Sequence, residues 1–197
     1  MKYDRDQIKD LILNRRTHNV QRLTDKEIPV KLIEDLVEAA HWAPTHGLVE
    51  PWNFLIIQGD ERKKLGDFNA ELYKRITEKS DFLEKKYEKL KSIPLKVHTL
   101  FVIVMKHDPM GRIPEIENIE AVACAVQNMH LLAEASGIGA KWSSPSFINR
   151  TELKDYFNLD NNETILGFFY IGYPEKDYQP KSKRNASFKE KMTYWKS

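Results

Sequence analysis

The chain has a single cysteine, Cys124, so no internal disulfide can form. Its setting, Ala121-Val122-Ala123-Cys124-Ala125-Val126, predicts a buried face of small residues and a packing role rather than a reactive thiol. No apolar run approaches the roughly 20 residues of a membrane span. The first residues, Met1-Lys2-Tyr3-Asp4-Arg5-Asp6, carry no apolar secretory core. These absences together predict a cytoplasmic protein. Charge of one sign is lacking too: 31 basic residues face 29 acidic ones, for a net +2. Such a balance gives no global field for nucleic acid. Several chemical motifs are also missing. There is no G-x-S-x-G nucleophile elbow and no G-x-x-x-x-G-K-[ST] phosphate loop. His41 and His46 are separated by Pro44, so they cannot share a helix face as zinc ligands. Gly137-Ile138-Gly139 follows a helical pattern, whereas a dinucleotide fingerprint must open one.

The remaining composition, 41% hydrophobic and 30% charged over 197 residues, is that of one globular domain, 1–197, with enough volume for a core. Asp4 and Gln7 form a capping-box pattern before the stripe Ile8, Leu11, Ile12, which predicts a helix to Arg16. Pro29 suits a first turn, and Leu32, Ile33, Leu36, Val37 and Ala40 line one helical face. Asn53–Gln58 reads as a strand, and Glu61–Leu90 as two charged helices broken near Ser80. In that pair, lysines interleaved with glutamates mark a solvated face. Val97–Met105 is rich in β-branched residues and too apolar for an exposed edge. Ile116–Ser136 is a long helix, apolar on more than one side, of the kind that sits centrally or against a partner subunit. Asn149 and Glu152 suggest a cap for a short helix to Phe157. Glu163–Tyr173 is the last strand, with Gly167 and Gly172 predicting a bulge or close backbone approach. The tail from Pro174 is polar and basic and ends in Tyr194-Trp195, which predicts docking rather than free solution. The order implies an α+β or α/β fold with few strands.

Polar and aromatic groups gather in irregular stretches. Arg15-Arg16-Thr17 closes the first helix. His41–Ile57 passes Pro44, Gly47 and Pro51. Trp142-Ser143-Ser144-Pro145 reads as a loop, and Lys183-Arg184 lies in the tail. If they converge, they supply cationic donors for a phosphate, hydroxyl partners for a polyol and aromatic faces for a ring. Those are the needs of a flavin mononucleotide. The lone histidines His98, His107 and His130 read as structural.

The chain also resembles the FMN-dependent nitroreductase family, of the small homodimeric kind, over nearly its whole length. The resemblance rests on Asn14-Arg15-Arg16-Thr17, similar to the family's R-R-S, and on Ala43–Trp52, similar to A-P-S-x-x-N-x-Q-P-W. Ala125-Val126-Gln127-Asn128-Met129 through Gly137-Ile138-Gly139 to Trp142 fits as well, as does the ending with Lys183-Arg184 and Tyr194-Trp195. It implies a three-layer sandwich, with a mixed, mainly antiparallel sheet flanked by helices. It also implies an intertwined homodimer with FMN at the subunit interface. Arg15, Arg16 and Thr17 would contact the phosphate and ribityl chain, with Lys183 and Arg184 closing on the phosphate. Thr45 and its neighbours would reach the partner's flavin, and Trp142, Ser143 and Ser144 would flank the ring. The family's arginine two places after R-R-S is Asn19 here, its loop asparagine is Leu48 and its glutamine is Glu50. These departures favour a divergent subgroup in which His46 and Trp42 meet the flavin.

The expected activity is transfer of hydride from NADH or NADPH through flavin to an electron-poor acceptor such as a nitroaromatic or quinone. No side chain is assigned as acid or base, and no metal is expected. The rival readings are a non-catalytic binder of flavin or another ring ligand on the same fold, and a nucleic-acid binder. The second is weakened by the glutamates that cancel the lysines.

Overall fold

The computed structural model describes residues 2–108, 110–181 and 183–196, and Thr99–Lys106 (β2) lies at its centre. Every residue of β2 but Lys106 is buried, because both faces of the strand are covered. Trp52–Ile57 (β1) pairs with one side of it and Glu163–Gly172 (β4) with the other. The sheet order is β1-β2-β4-β3, and all three pairings are antiparallel.

The outermost strand, Gly139–Ser143 (β3), corrects the expectation of a loop at Trp142-Ser143. Its sequence, GAKWS, has no β-branched run to announce it. Pairing with β4 makes it a strand, from Gly139 opposite Gly172 to Ser143 opposite Phe168.

Helices Val30–His41 (α2) and Glu115–Ala135 (α5) cover one sheet face, packing Ile33, Leu36, Val122 and Met129 against Phe101, Ile103 and Phe169. Glu61–Ile76 (α3), Glu84–Ser92 (α4) and Thr151–Tyr156 (α6) cover the other, with Leu65, Leu72 and Leu153 against Leu100, Val102 and Phe168. The result is the three-layer arrangement. The break expected near Ser80 falls between α3 and α4. The cap expected from Asn149 is not formed: Arg150 is the N-cap of α6 and makes no side-chain cap bond.

Arg5–Asn14 (α1) starts as its sequence dictates, the Asp4 carboxylate accepting from Asp6 N–H at 2.8 Å and Gln7 N–H at 3.1 Å. Yet α1 buries no residue. Cys124, expected to be buried, is exposed on the outer face of α5. The apolar periodicity of α1 and α5 is wider than one chain can cover. The tail likewise leaves Phe188, Tyr194 and Trp195 exposed, so this chain alone does not supply the docking expected of it. No helix among the described residues is long and apolar enough to cross a membrane.

Candidate functional site

Residues 15–18 run along the outer edge of β3, and residues 22–24 pair with the chain just beyond β4. Thr17 forms a parallel bridge with Ala140, His18 N–H donates to Ala140 O at 3.0 Å, and Thr24 N–H donates to Tyr173 O at 2.9 Å. Two glycines permit this approach. A Cβ on Gly139 would come within 2.7 Å of the His18 ring, and one on Gly172 within 2.8 Å of Thr24 O. The segment therefore holds Arg15 and Thr17 beside Trp142. With Gln127 and His130 of α5 they line a cavity of about 280 Å³.

Trp142 reaches that cavity because β4 is bulged. Ile103 of β2 pairs with Gly167 but the next residue, Val104, pairs with Ile165, leaving Leu166 unpaired. Gly167 has φ +148°, and a Cβ there would lie 2.5 Å from Trp142 Nε1 and 2.9 Å from Ser144 Oγ. The indole occupies the room a side chain would have taken. Both features suit the glycine that the sequence marked.

Three of the residues that line this cavity carry a buried side-chain nitrogen with no hydrogen-bond partner among the described residues: Arg15 Nη1, His130 Nδ1 and Trp142 Nε1, the last of them against the Gly167 bulge. Each such atom costs about 1–3 kcal/mol if left unsatisfied. A guanidinium, an imidazole and an indole lining one cavity suit a ligand that accepts hydrogen bonds and carries negative charge, which is the chemistry of a phosphate-bearing polyol. Burial, then the Arg15 charge, then His18, pull the His130 pKa down to about 4, so its imidazole is neutral at pH 7. Burial also lowers His18, opposed by Glu134. Glu134 Oε2 in turn accepts from Arg16 N–H at 3.1 Å.

The remaining predicted residues are placed differently. The Arg16 guanidinium turns back to donate to Leu13 O at 2.7 Å and Arg15 O at 3.1 Å, closing the end of α1. Ser143 points to the opposite sheet face, where with Asn19, Asn69, Lys89 and Lys141 it lines a second cavity of about 270 Å³. Ser144 Oγ donates to Leu166 O at 2.8 Å. Lys183 and Arg184 are exposed in the tail and line neither cavity.

Trp42, Thr45 and His46 lie in the loop after α2. Trp42 is 80% exposed. Thr45 Oγ1 accepts from Glu50 N–H at 3.2 Å, and His46 Nδ1 is 2.6 Å from Glu117 Oε2 in the first turn of α5. Gly47, Leu48 and Glu50 all have left-handed φ, from +47° to +57°. Glu117 and His130 lie thirteen positions apart on α5, a rise of about 20 Å, so this loop is remote from its own chain's Arg15 cavity.

Sequence reasoning missed His130, Gln127, Asn69 and the lysines of the second cavity. Gln127 and His130 share a helix face, but that stripe also carries Val126 and Ala133, so their polarity read as incidental. His98 and His107 do serve structure, bonding Thr99 Oγ1 at 2.9 Å and Thr164 Oγ1 at 3.0 Å.

Residues 12–173 match the profile of the Nitroreductase family. The chain belongs to the nitroreductase family. This nitroreductase-family protein is 28% identical over 188 residues to YfhC of Bacillus subtilis, provisionally named an NAD(P)H nitroreductase, covering 94% of this chain and 93% of that one. It superposes on the nitroreductase-like family protein of Bacillus cereus with a TM-score of 0.78 at 28% identity, covering 100% of this chain and 99% of that one. A nitroreductase-fold protein from Desulfovibrio desulfuricans, crystallised in complex with FMN, shares the fold at a TM-score of 0.71 and 20% identity, with 96% of each chain covered.

Proposed function

We propose that this protein is an FMN-dependent oxidoreductase that uses NADH or NADPH. One observation carries the reading: Arg15, His130 and Trp142, each with an unpartnered buried nitrogen, line one cavity with Thr17. Arg15 would hold the FMN phosphate by charge-assisted hydrogen bonds, and Thr17 would bond the phosphate or ribityl chain. Trp142 would offer its indole N–H, and Ser143 and Ser144 would flank the ring. Arg16, Lys183 and Arg184 would join only after the α1 terminus and the tail rearrange. When bound, FMN supplies reversible hydride acceptance, so reducing equivalents pass from the nicotinamide to an electron-poor acceptor such as a nitroaromatic or quinone. The protein's share is to bind, orient and exclude water.

The reading includes an intertwined homodimer. The apolar residues Ile8, Ile12 and Leu13 of α1, the outer face of α5 at Ile116, and the tail at Phe188, Tyr194 and Trp195 are all exposed. An apolar groove of about 770 Å³ runs between α2 and β1, lined by Ile33, Val37, Trp52, Phe54 and Ile56. A second copy would cover these surfaces. It would also bring its Trp42, Thr45 and His46 to this chain's flavin, which their own loop cannot reach. A single domain acting in the cytoplasm completes the proposal.

The test is direct. Purified protein should be yellow, elute as a dimer, and lose its visible absorption on addition of NADH or NADPH, then recover it with a nitroaromatic acceptor. Colourless protein that takes up no added FMN overturns the reading. A flavin-loaded protein that reacts with nicotinamide no faster than free FMN would instead be a binding protein.

A further inference from the structure

We infer that His130 is part of the phosphate site and takes up a proton when FMN binds. The inference rests on the cofactor reading above. His130 and Arg15 line the same cavity, and each has a buried nitrogen with no partner among the described residues. A guanidinium alone would suffice to attract an anion. An imidazole beside it, unpartnered and 8% exposed, has no structural bond to explain it.

The surroundings set the direction of coupling. Arg15 faces His130 from the end of α1 and His18 from the following segment. Glu134 lies one turn further along α5, nearer His18 and Arg16 N–H. From β4 the neighbour is the Phe169 ring, roughly perpendicular to the imidazole with ring centroids 4.7 Å apart. Without ligand, burial and Arg15 keep His130 neutral. A phosphate dianion in the cavity would reverse the sign of the local field and raise the imidazole pKa towards neutrality. The proton comes from solvent and stays on His130, which then donates to the phosphate. FMN should therefore bind about tenfold more tightly at pH 6 than at pH 8. The second ionisation of the phosphate ester, near pH 6, works against this by about twofold, leaving a net ratio of about fivefold.

The experiment is calorimetric titration of FMN into the flavin-free full-length protein. It is run at pH 7 in buffers of different ionisation enthalpy, and affinities are measured at pH 6 and 8. Riboflavin, which lacks the phosphate, is the parallel ligand, and His130→Gln the variant, checked for an unchanged melting temperature at pH 8. The expected result is net proton uptake with FMN, none with riboflavin, and loss of both uptake and the pH 6 to 8 affinity ratio in His130→Gln. Equal proton uptake by the variant, or by riboflavin, overturns the role of His130 while leaving FMN binding intact. Failure of FMN to bind at either pH overturns the cofactor reading and this inference with it. His130→Asn serves as a second variant should the glutamine fail to fold.

Discussion

Replacing Gly167 by alanine should be among the most damaging single-atom additions in this protein. Two effects combine. The backbone at φ +148° lies where L-residues are strained, at about 1–3 kcal/mol. The new Cβ would also sit 2.5 Å from Trp142 Nε1 and 3.0 Å from Ser143 O, so the indole must leave its seat and β3 must shift. Overpacking of that kind adds roughly 1–3 kcal/mol. The sum is about 2–6 kcal/mol, or roughly 10 °C in Tm for a chain of this size. Gly59 provides the control. Its φ of +55° carries a comparable backbone penalty, but a Cβ there meets nothing within 4 Å. Gly59→Ala should therefore lose only about 1–2 kcal/mol. Chemical unfolding at one fixed protein concentration separates the two, and the fixed concentration matters if the native species is a dimer. Because Trp142 lines the Arg15 cavity, Gly167→Ala should also weaken FMN binding, whereas Gly59→Ala should not. Gly167→Ala no less stable than Gly59→Ala would refute the argument. So would the absence of coupling between Gly167→Ala and Trp142→Phe in a double-mutant cycle.

Gly66→Ala should be equally harmful, because its Cβ would overlap Lys91 O where α3 crosses the end of α4; an unfolding midpoint near wild type would contradict the close crossing. Arg15→Ala should weaken FMN binding by about 1.5–3 kcal/mol, read as Kd by flavin fluorescence, and unchanged affinity would remove Arg15 from the phosphate site. His130 makes the flavin-free protein sensitive to acid. Its pKa is about 4 when folded and 6.5 ordinarily, so the unfolded chain binds the extra proton between those values. Stability is therefore full above about pH 6.5 and falls by roughly 3 kcal/mol towards pH 4, a slope that His130→Gln should lack. Glu117→Ala removes the 2.6 Å contact with His46 at a partly exposed site, so stability should change by less than about 1 kcal/mol while limited proteolysis in residues 42–50 accelerates; unchanged cleavage would show the pair does not hold the loop.

The helices and the three apolar strands were legible because burial on one or both faces writes itself into composition. Leu36 and Val102 sit where the periodicity put them. Gly167 and Gly172 were recognisable as well, since a glycine inside a strand weakens it and is kept where the chain bulges or another backbone comes close. What escaped was fixed by neighbours in space. GAKWS becomes a strand only because β4 offers it a partner. The exposure of Cys124 could not be read from a small-residue helix face that looks the same whether its cover comes from this chain or another. Within the candidate site, Arg15 and Thr17 announced themselves by type and position. His130 did not, because the role of a buried imidazole is set by which nitrogens find partners, and no spacing rule carries that information.

One consequence of β3 concerns topography. Successive residues of a strand face opposite ways, and here Lys141 and Ser143 look into one cavity while Trp142 looks into the other. This five-residue strand is thus a party wall, shared by two chambers whose furnishings alternate along it. One residue inserted at Gly137-Ile138 would transpose the tenants, sending Trp142 to the lysine side and Lys141 beside Arg15. The two chambers are therefore locked to a single register, and neither can be rebuilt by a length change without inverting the other.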